Sequence, residues 1–254
     1  MMAHADRFYG GVALVVLGGD SGMDWMKLRD ETQPDVIMTM NGMTKLPGAD
    51  YWLLAENMNF CHIRGMQGDK RLMDFMHVLD PENTAEFKLV NHRNWNLLPL
   101  YGIDEEDCIS IRRTGYADLN NFSFREYGEG FLNGEMSEAD EAWEPGVTVR
   151  KGTVGLQLLH LAGILGCKEV HTIGWDLMFR DKNKHHWYDH PTYTDGRFRT
   201  KKMFIKHKGV DTQAWWVETA NYLKSLQDVF ERDDLEWRDH SDGLLKLEGV
   251  WCTV

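Results

Sequence analysis

Short apolar runs rich in β-branched residues recur at Val12–Leu17, Val36–Met40 and Tyr51–Ala55, each stopped by Gly, Asn or an acidic residue. Runs of this length bounded by turn formers read as buried strands. Between the first two, SGMDWMKLRDE places Met23, Trp25, Met26 and Leu28 at roughly helical spacing, giving strand, Gly-rich turn, helix, strand. That order opens a parallel βαβ unit. Farther on, the pattern predicts a helix over Gln67–Leu79 and strands over Glu86–Val90 and Cys108–Ile111. Residues 120–146 are mostly turn-forming and acidic, and FLNGEMSEADEAWEPG reads as a surface loop.

In the second half, Val154, Leu158, Leu161, Ala162 and Leu165 repeat at helical spacing behind Thr153, a suitable cap, and Gly166 supplies a left-handed stop. A helix of about 13 residues spans ~20 Å. Lys168–Ile173 reads as a strand closed by Gly174-Trp175-Asp176. Helical spacing resumes over Asp211–Phe230 through Trp215, Ala220, Leu223 and Leu226, with Asp211 available as N-cap; short strands are expected near Leu235–Trp237 and Leu244–Leu247. Strands and helices alternate without a linker or repeat. The expectation for residues 1–254 is therefore α/β: a single doubly wound, Rossmann-like domain with a mostly parallel sheet.

Composition narrows the setting. With 254 residues, 43% hydrophobic and 27% charged, the chain is long enough for a sizeable core, and no apolar run reaches the ~20 residues of a membrane span. The N-terminus reads as a first strand and not as a secretion signal. Cys61, Cys108, Cys167 and Cys252 are widely spaced without a C-x-x-C pair, fitting neither a zinc site nor a disulfide framework. A soluble protein of the reducing cytoplasm is expected. The net charge of −12 argues against general nucleic-acid binding, yet residues 180–209 carry nine Lys or Arg against three Asp, +6 there and −18 elsewhere. That local field suits an anionic ligand such as a nucleotide diphosphate, and equally describes a solvated basic loop.

Open parallel sheets bind ligands beyond the carboxyl ends of their strands. GGDSG (Gly18, Gly19, Asp20, Ser21, Gly22) follows the first strand and can present backbone N–H groups to an anion, while Asn41 ends the second strand and Glu56-Asn57 the third. Asp176 follows the strand after Gly166 and reads first as a loop brace. HHWYDH offers His186 and Tyr188 in an aromatic, imidazole-rich surface suited to stacking on a base or sugar; Pro191 argues against the helix that a His186/His190 metal pair would need, so no metal site is assigned. His207 lies just before the last large helix, where an imidazole can take a proton from an attacking hydroxyl.

These residues carry a resemblance. GTVGLQLLHLAGILGCKEVHTIGWDL resembles the segment shared by the bacterial sialyltransferases of glycosyltransferase family 42 and the archaeal 6-hydroxymethylpterin diphosphokinase (MptE-like) family, through the small-residue helix start Thr153, Val154 and Gly155, the stretch Leu165–Val170 and the Gly174–Asp176 strand end. VALVVLGGDSG, DVIMTMN, KHKGVDTQAW and DHSDGLLKLEGV are similar to further segments of these families, the last to a closing Ser-x-Gly-x-Leu stretch. The resemblance implies that Gly18–Gly22, Asn41 and Thr153–Gly155 cradle a nucleotide and that His207 is the general base; at the third strand end, where the sialyltransferases carry an Asn or similar group, this chain has Glu56 beside Asn57. Glu56, Asn57, Gly174 and Asp176 are taken as further nucleotide-binding candidates, and His186 and Tyr188 of the HHWYDH cluster as further catalytic ones. A G-x-G-P-S loop is replaced here by Gly18-Gly19-Asp20-Ser21-Gly22, and a tyrosine two residues beyond Asp176 by Met178, for which Tyr188 or Tyr193 could substitute. The implied activity is transfer of a sugar from a CMP- or UDP-type nucleotide-sugar donor to an acceptor hydroxyl. The sibling family implies instead an ATP-dependent pyrophosphokinase with Mg²⁺ on Asp176, Glu56 or Asp20. A hydroxylated base in DNA is a further possible acceptor.

Overall fold

A computed structural model describes residues 7–55, 58–68, 73, 76–111, 154–179, 205–225, 230–231 and 234–250. The other residues, including 56–57, the acidic 120–146 stretch, Thr153 and the basic, His-rich segment 180–204 with His186 and Tyr188, lie outside that description.

Seven strands form one sheet: β1 (Val12–Val16), β2 (Val36–Met40), β3 (Tyr51–Leu54), β4 (Phe87–Asn91), β5 (Cys108–Ile111), β6 (Glu169–Ile173) and β9 (Glu236–Asp239), ordered β5-β4-β3-β2-β1-β6-β9. Every pairing in this sheet is parallel. Parallel strands covered on both faces are uniformly apolar, which is why VALVV, VIMTM and YWLL stand out in the sequence. Alternation sends Ala13, Val15 and Leu17 to one layer and Leu14 and Val16 to the other. The chain winds outward from β1 through β5, then returns to pair β6 with the other side of β1. The winding thus reverses between β1 and β6, where open α/β sheets leave a crevice at the carboxyl edge.

Helix α1 (Trp25–Thr32) lies on one face and α3 (Val154–Ile164) on the other, across β1, β2 and β3; α2 (Asn59–Met66) follows β3. Gly166 has φ +83, the left-handed stop expected after α3. Beyond the sheet, β7 (Ile205–His207) and β8 (Val210–Thr212) form an antiparallel hairpin before α4 (Ala214–Ser225), and α5 (Leu244–Glu248) follows β9.

Three expectations need correction and a fourth is incompletely described. Asp20–Asp24 is a 3-10 turn, so α1 starts at Trp25 and leaves Met23 and Met26 more than half exposed. Of the span 67–79, where a helix is expected, Met73 is helical and Met76–Val78 forms a 3-10 turn, with 69–72 and 74–75 outside the described residues; a further helix that the pattern does not predict lies at Asn59–Met66, and Gly68 at φ +98 follows it. Asp211 belongs to the hairpin and does not cap α4. Leu244–Leu247 is helical, not extended: only Leu244 and Leu245 are buried, and Gly249 ends the turn at φ +66. A segment as short as Leu-Leu-Lys-Leu is ambiguous between the two states, and the flanking glycines, not the segment itself, carry the signal.

Candidate active site

The loops after β1 and β6 are bound to each other. Asp176, 2% exposed, accepts a hydrogen bond from Ser21 N–H at 3.0 Å and another from Ser21 Oγ; Ser21 Oγ in turn accepts from Gly174 N–H at 3.1 Å. Gly19 N–H donates to the Gly174 carbonyl at 2.7 Å and Gly22 N–H to the Gly19 carbonyl at 2.9 Å. Amides of the Gly-rich loop are therefore committed to the protein itself. The glycines explain the closeness. A Cβ on Gly19 would fall 2.6 Å from the Gly174 carbonyl oxygen, and one on Gly155 2.8 Å from Leu17 and Trp175. Gly174 combines φ +81 with a Cβ position 2.2 Å from the Leu17 carbonyl oxygen. Asp176 is the brace expected of it: both of its carboxylate oxygens are hydrogen-bonded to Ser21.

The segment after β9 completes this junction. Ser241 Oγ accepts from Trp175 N–H at 2.7 Å and donates to Asp239 Oδ1 at 2.8 Å; Thr172 Oγ1 accepts from the Trp237 indole at 3.0 Å and donates to the same oxygen at 2.6 Å. Asp239 Oδ2 has no partner among the described residues. Burial pushes the Asp239 carboxyl up to about 7, against the pull of those hydrogen bonds. Gly243 packs on Asp176, and Leu244 N–H donates to the Asp176 carbonyl at 2.7 Å. The Ser-x-Gly-x-Leu stretch thus has a physical role: it clamps the end of β6.

A cleft of about 610 Å³ opens on the α1 side of this edge, lined among others by Asp20, Ser21, Lys27, Glu31, His240 and Asp242. Asp24 also lines it, so carboxylates outnumber its one lysine. His240 Nε2 lies 2.8 Å from His171 Nδ1, and His171 Nε2 lies 2.9 Å from Glu169. Burial lowers the affinity of both rings for a proton. The carboxylates repel a phosphate, and neutral imidazoles add no positive charge to offset them. Asp20 therefore sits in surroundings suited to a neutral or cationic group.

The opposite face is different. There the first turn of α3, Val154 and Gly155, rests against Leu17 and Trp175, and a helix's first turn carries N–H groups without intrahelical acceptors and a partial positive charge. Asn41, closing β2, is in the left-handed region at φ +46; its N–H donates to the Leu53 carbonyl at 3.1 Å and its carbonyl accepts from the Trp52 indole at 2.7 Å. Its side-chain Oδ1 is buried and has no partner among the described residues.

His207 stands on β7, with Nε2 2.6 Å from Glu248 Oε1 at the end of α5. Of the basic segment, Lys206 and Lys208 are described; Lys206 faces Asp211 at 3.8 Å and Lys208 faces Glu248 at 2.9 Å. Sequence reading missed Glu248, Asp239 and the His171–His240 pair, since an acid after an apolar run looks like any solvated turn. No group of three or more metal-ligating side chains occurs among the described residues. Burial pushes the Cys167 thiol up to about 12 and the Cys108 thiol to about 11, which makes both poor nucleophiles. Among the described residues, no helix is long and apolar enough to cross a membrane.

No protein-family model matches the chain, and no curated protein matches it. Solved structures with a similar fold include a variant of the sialyltransferase CST-II in complex with CMP, at 12% identity over 95% of this chain and 86% of that one with a TM-score of 0.47. Another is the sialyltransferase CstII from Campylobacter jejuni in complex with cytidine-5'-monophosphate, at 11% identity over 97% and 86% with a TM-score of 0.45.

Proposed function

We propose that this chain is a nucleotide-sugar-dependent glycosyltransferase of the cytoplasm that moves a sugar from a CMP- or UDP-type donor to an acceptor hydroxyl, with inversion and with His207 as general base. Asn41 carries the reading. A buried side-chain oxygen without a donor costs about 1–3 kcal/mol and persists where a ligand supplies the missing hydrogen. Asn41 stands at the carboxyl edge of the sheet, on the strand beside β1, and a ribose hydroxyl or an exocyclic base amine supplies that hydrogen. The donor's phosphate belongs on the α3 face, because the helix start is electropositive there while the α1-side cleft is acidic. In the transfer step the acceptor O–H bond breaks toward His207, the oxygen bonds to the anomeric carbon, and the carbon–phosphate oxygen bond breaks with its electrons leaving on the nucleotide. General-base assistance of this kind contributes roughly 10²- to 10⁴-fold.

Thermal unfolding of the full chain with CMP, UDP, GDP and ATP and their sugar conjugates, each with and without Mg²⁺, tests the donor. A pyrimidine nucleotide should raise the Tm without metal, corresponding to about 2.7 kcal/mol at a hundredfold excess over Kd. Asn41→Gly keeps the left-handed backbone and removes the amide, so it should weaken that nucleotide about tenfold. Stabilisation by ATP and Mg²⁺ alone would replace this reading with the pyrophosphokinase, and silence across the panel would end it.

A further inference from the structure

His207 and Glu248 are 41 residues apart in sequence and are held together by structure anchored on one short stretch. On one side, Phe179 N–H donates to the Asp211 carbonyl at 2.8 Å and Thr212 Oγ1 to the Leu177 carbonyl at 2.6 Å, which fixes the β7-β8 hairpin that carries His207. On the other, Gly243 packs on Asp176 and Leu244 N–H bonds its carbonyl, which fixes the start of α5, the five-residue turn that ends in Glu248. Residues 176–179 thus set the separation of the two side chains. Glu248 Oε1 meets His207 Nε2 at 2.6 Å and Oε2 meets Lys208 Nζ at 2.9 Å; Lys208 Nζ also reaches the Leu247 carbonyl, and Lys224 Nζ the Glu248 carbonyl at 3.4 Å. The Glu248 side chain is 10% exposed and that of His207 32%. Burial pushes the Glu248 carboxyl up, but the hydrogen bonds from Lys208 and His207 outweigh it and hold the group below the usual glutamate value.

An ionised carboxylate accepts hydrogen bonds and donates none, so the ring nitrogen facing it carries the proton. In a neutral imidazole the lone pair is then on the other nitrogen. We infer that Glu248 is the positioning residue for His207, fixing the Nε2–H tautomer so that Nδ1 takes the proton from the acceptor hydroxyl. This rests on the reading of His207 as general base. A glutamate at the last position of a helix opposes the helix dipole, and such a local rule is broken where a contact elsewhere compensates. Lys208 and Lys224 supply that compensation here, leaving one carboxylate oxygen to His207.

Long-range ¹H–¹⁵N spectra of the histidine rings in the full, ligand-free chain test the tautomer directly, with His207→Gln assigning the signals. The expected result is that the neutral form of the His207 ring is almost entirely the Nε2–H tautomer, with both tautomers populated in Glu248→Gln and Glu248→Ala. A wild-type ring in the Nδ1–H form, or spectra unchanged by both Glu248 variants, would overturn the inference. Turnover of CMP-sialic acid and a UDP-hexose separates it from the base reading. Glu248→Gln should lower kcat about tenfold with donor KM within about twofold, while His207→Gln removes about a hundredfold or more. Loss with His207→Gln but unchanged kcat with Glu248→Gln sinks the positioning role and leaves the base. Unchanged turnover with His207→Gln sinks the base, and the tautomer then stands or falls on the spectra alone.

Discussion

Asp239 is the residue whose chemistry departs farthest from its surroundings' expectation. Its carboxyl is 3% exposed and is raised from 3.8 to about 7 by burial, with the charge of Asp176 adding to it. The folded state therefore keeps a proton that the unfolded chain releases between those two values. The group's contribution to stability is fully present below pH 4, falls as pH rises through the window, and reaches its minimum above about 7. Three units correspond to roughly 4 kcal/mol as an order of magnitude. Asp239→Asn is neutral at every pH and keeps the acceptor for Thr172 and Ser241. Its stability relative to wild type should thus rise between pH 4 and 7 by up to roughly that amount, as read from urea midpoints; a difference that does not change with pH would contradict the assignment. His171 and His240, whose proton affinity is lowered, lose stability as pH falls below 6.5, but they do so in both proteins and cancel in the comparison. None of this was visible in the sequence. The Asp in DHSDG looks like a turn former, and what makes it acidic or not is a Thr on β6 and a Ser two positions on.

Among the elements, the turns at the strand ends separate two uses of glycine that share one backbone signature. Gly174 and Gly48 both have positive φ, +81 and +73, yet a Cβ on Gly174 would meet the Leu17 carbonyl oxygen at 2.2 Å while one on Gly48 meets nothing within 4 Å. Gly48→Ala should cost about 1–2 kcal/mol, the left-handed penalty alone. Gly174→Ala adds overpacking against backbone, so about 3 kcal/mol or more in all is expected from equilibrium unfolding, with the β1 and β6 loops driven apart. Equal costs would mean that the two loops are not in contact. In the sequence Gly174 stands out through the Gly174–Asp176 strand end, whereas nothing in it marks Gly48. The strands and α3 were legible because burial on both faces forces continuous apolar runs and a 3.6 period. The β7-β8 hairpin was not: IKH and VDT are too short and polar for periodicity, and only their pairing makes them strands.

For the molecule as a whole, the described sheet is continuous from β5 to β9, and both apolar layers rest on it. Neither layer can open without exposing a face of the same strands. Unfolding followed by tryptophan fluorescence and by far-UV circular dichroism should therefore coincide in one transition, as a single domain requires; two separated transitions would divide the chain. The fold class followed from the alternation of elements. The candidate site was legible at Asn41 and His207, which close or follow a short apolar run, and illegible at Glu248, which sequence distance hides.

The central strand also imposes an order of events on the growing polypeptide. β1 is flanked by β2 on one side, but its other edge pairs with β6, and 155 residues separate Ser21 from Asp176, which lock the two strand ends together. At roughly 5–20 residues per second, the ribosome needs about 8–30 s to make that stretch. For that time VALVV offers an open, fully apolar edge to any neighbouring chain. Whatever shields this edge during synthesis should therefore raise the yield in the cell without changing the finished protein's stability.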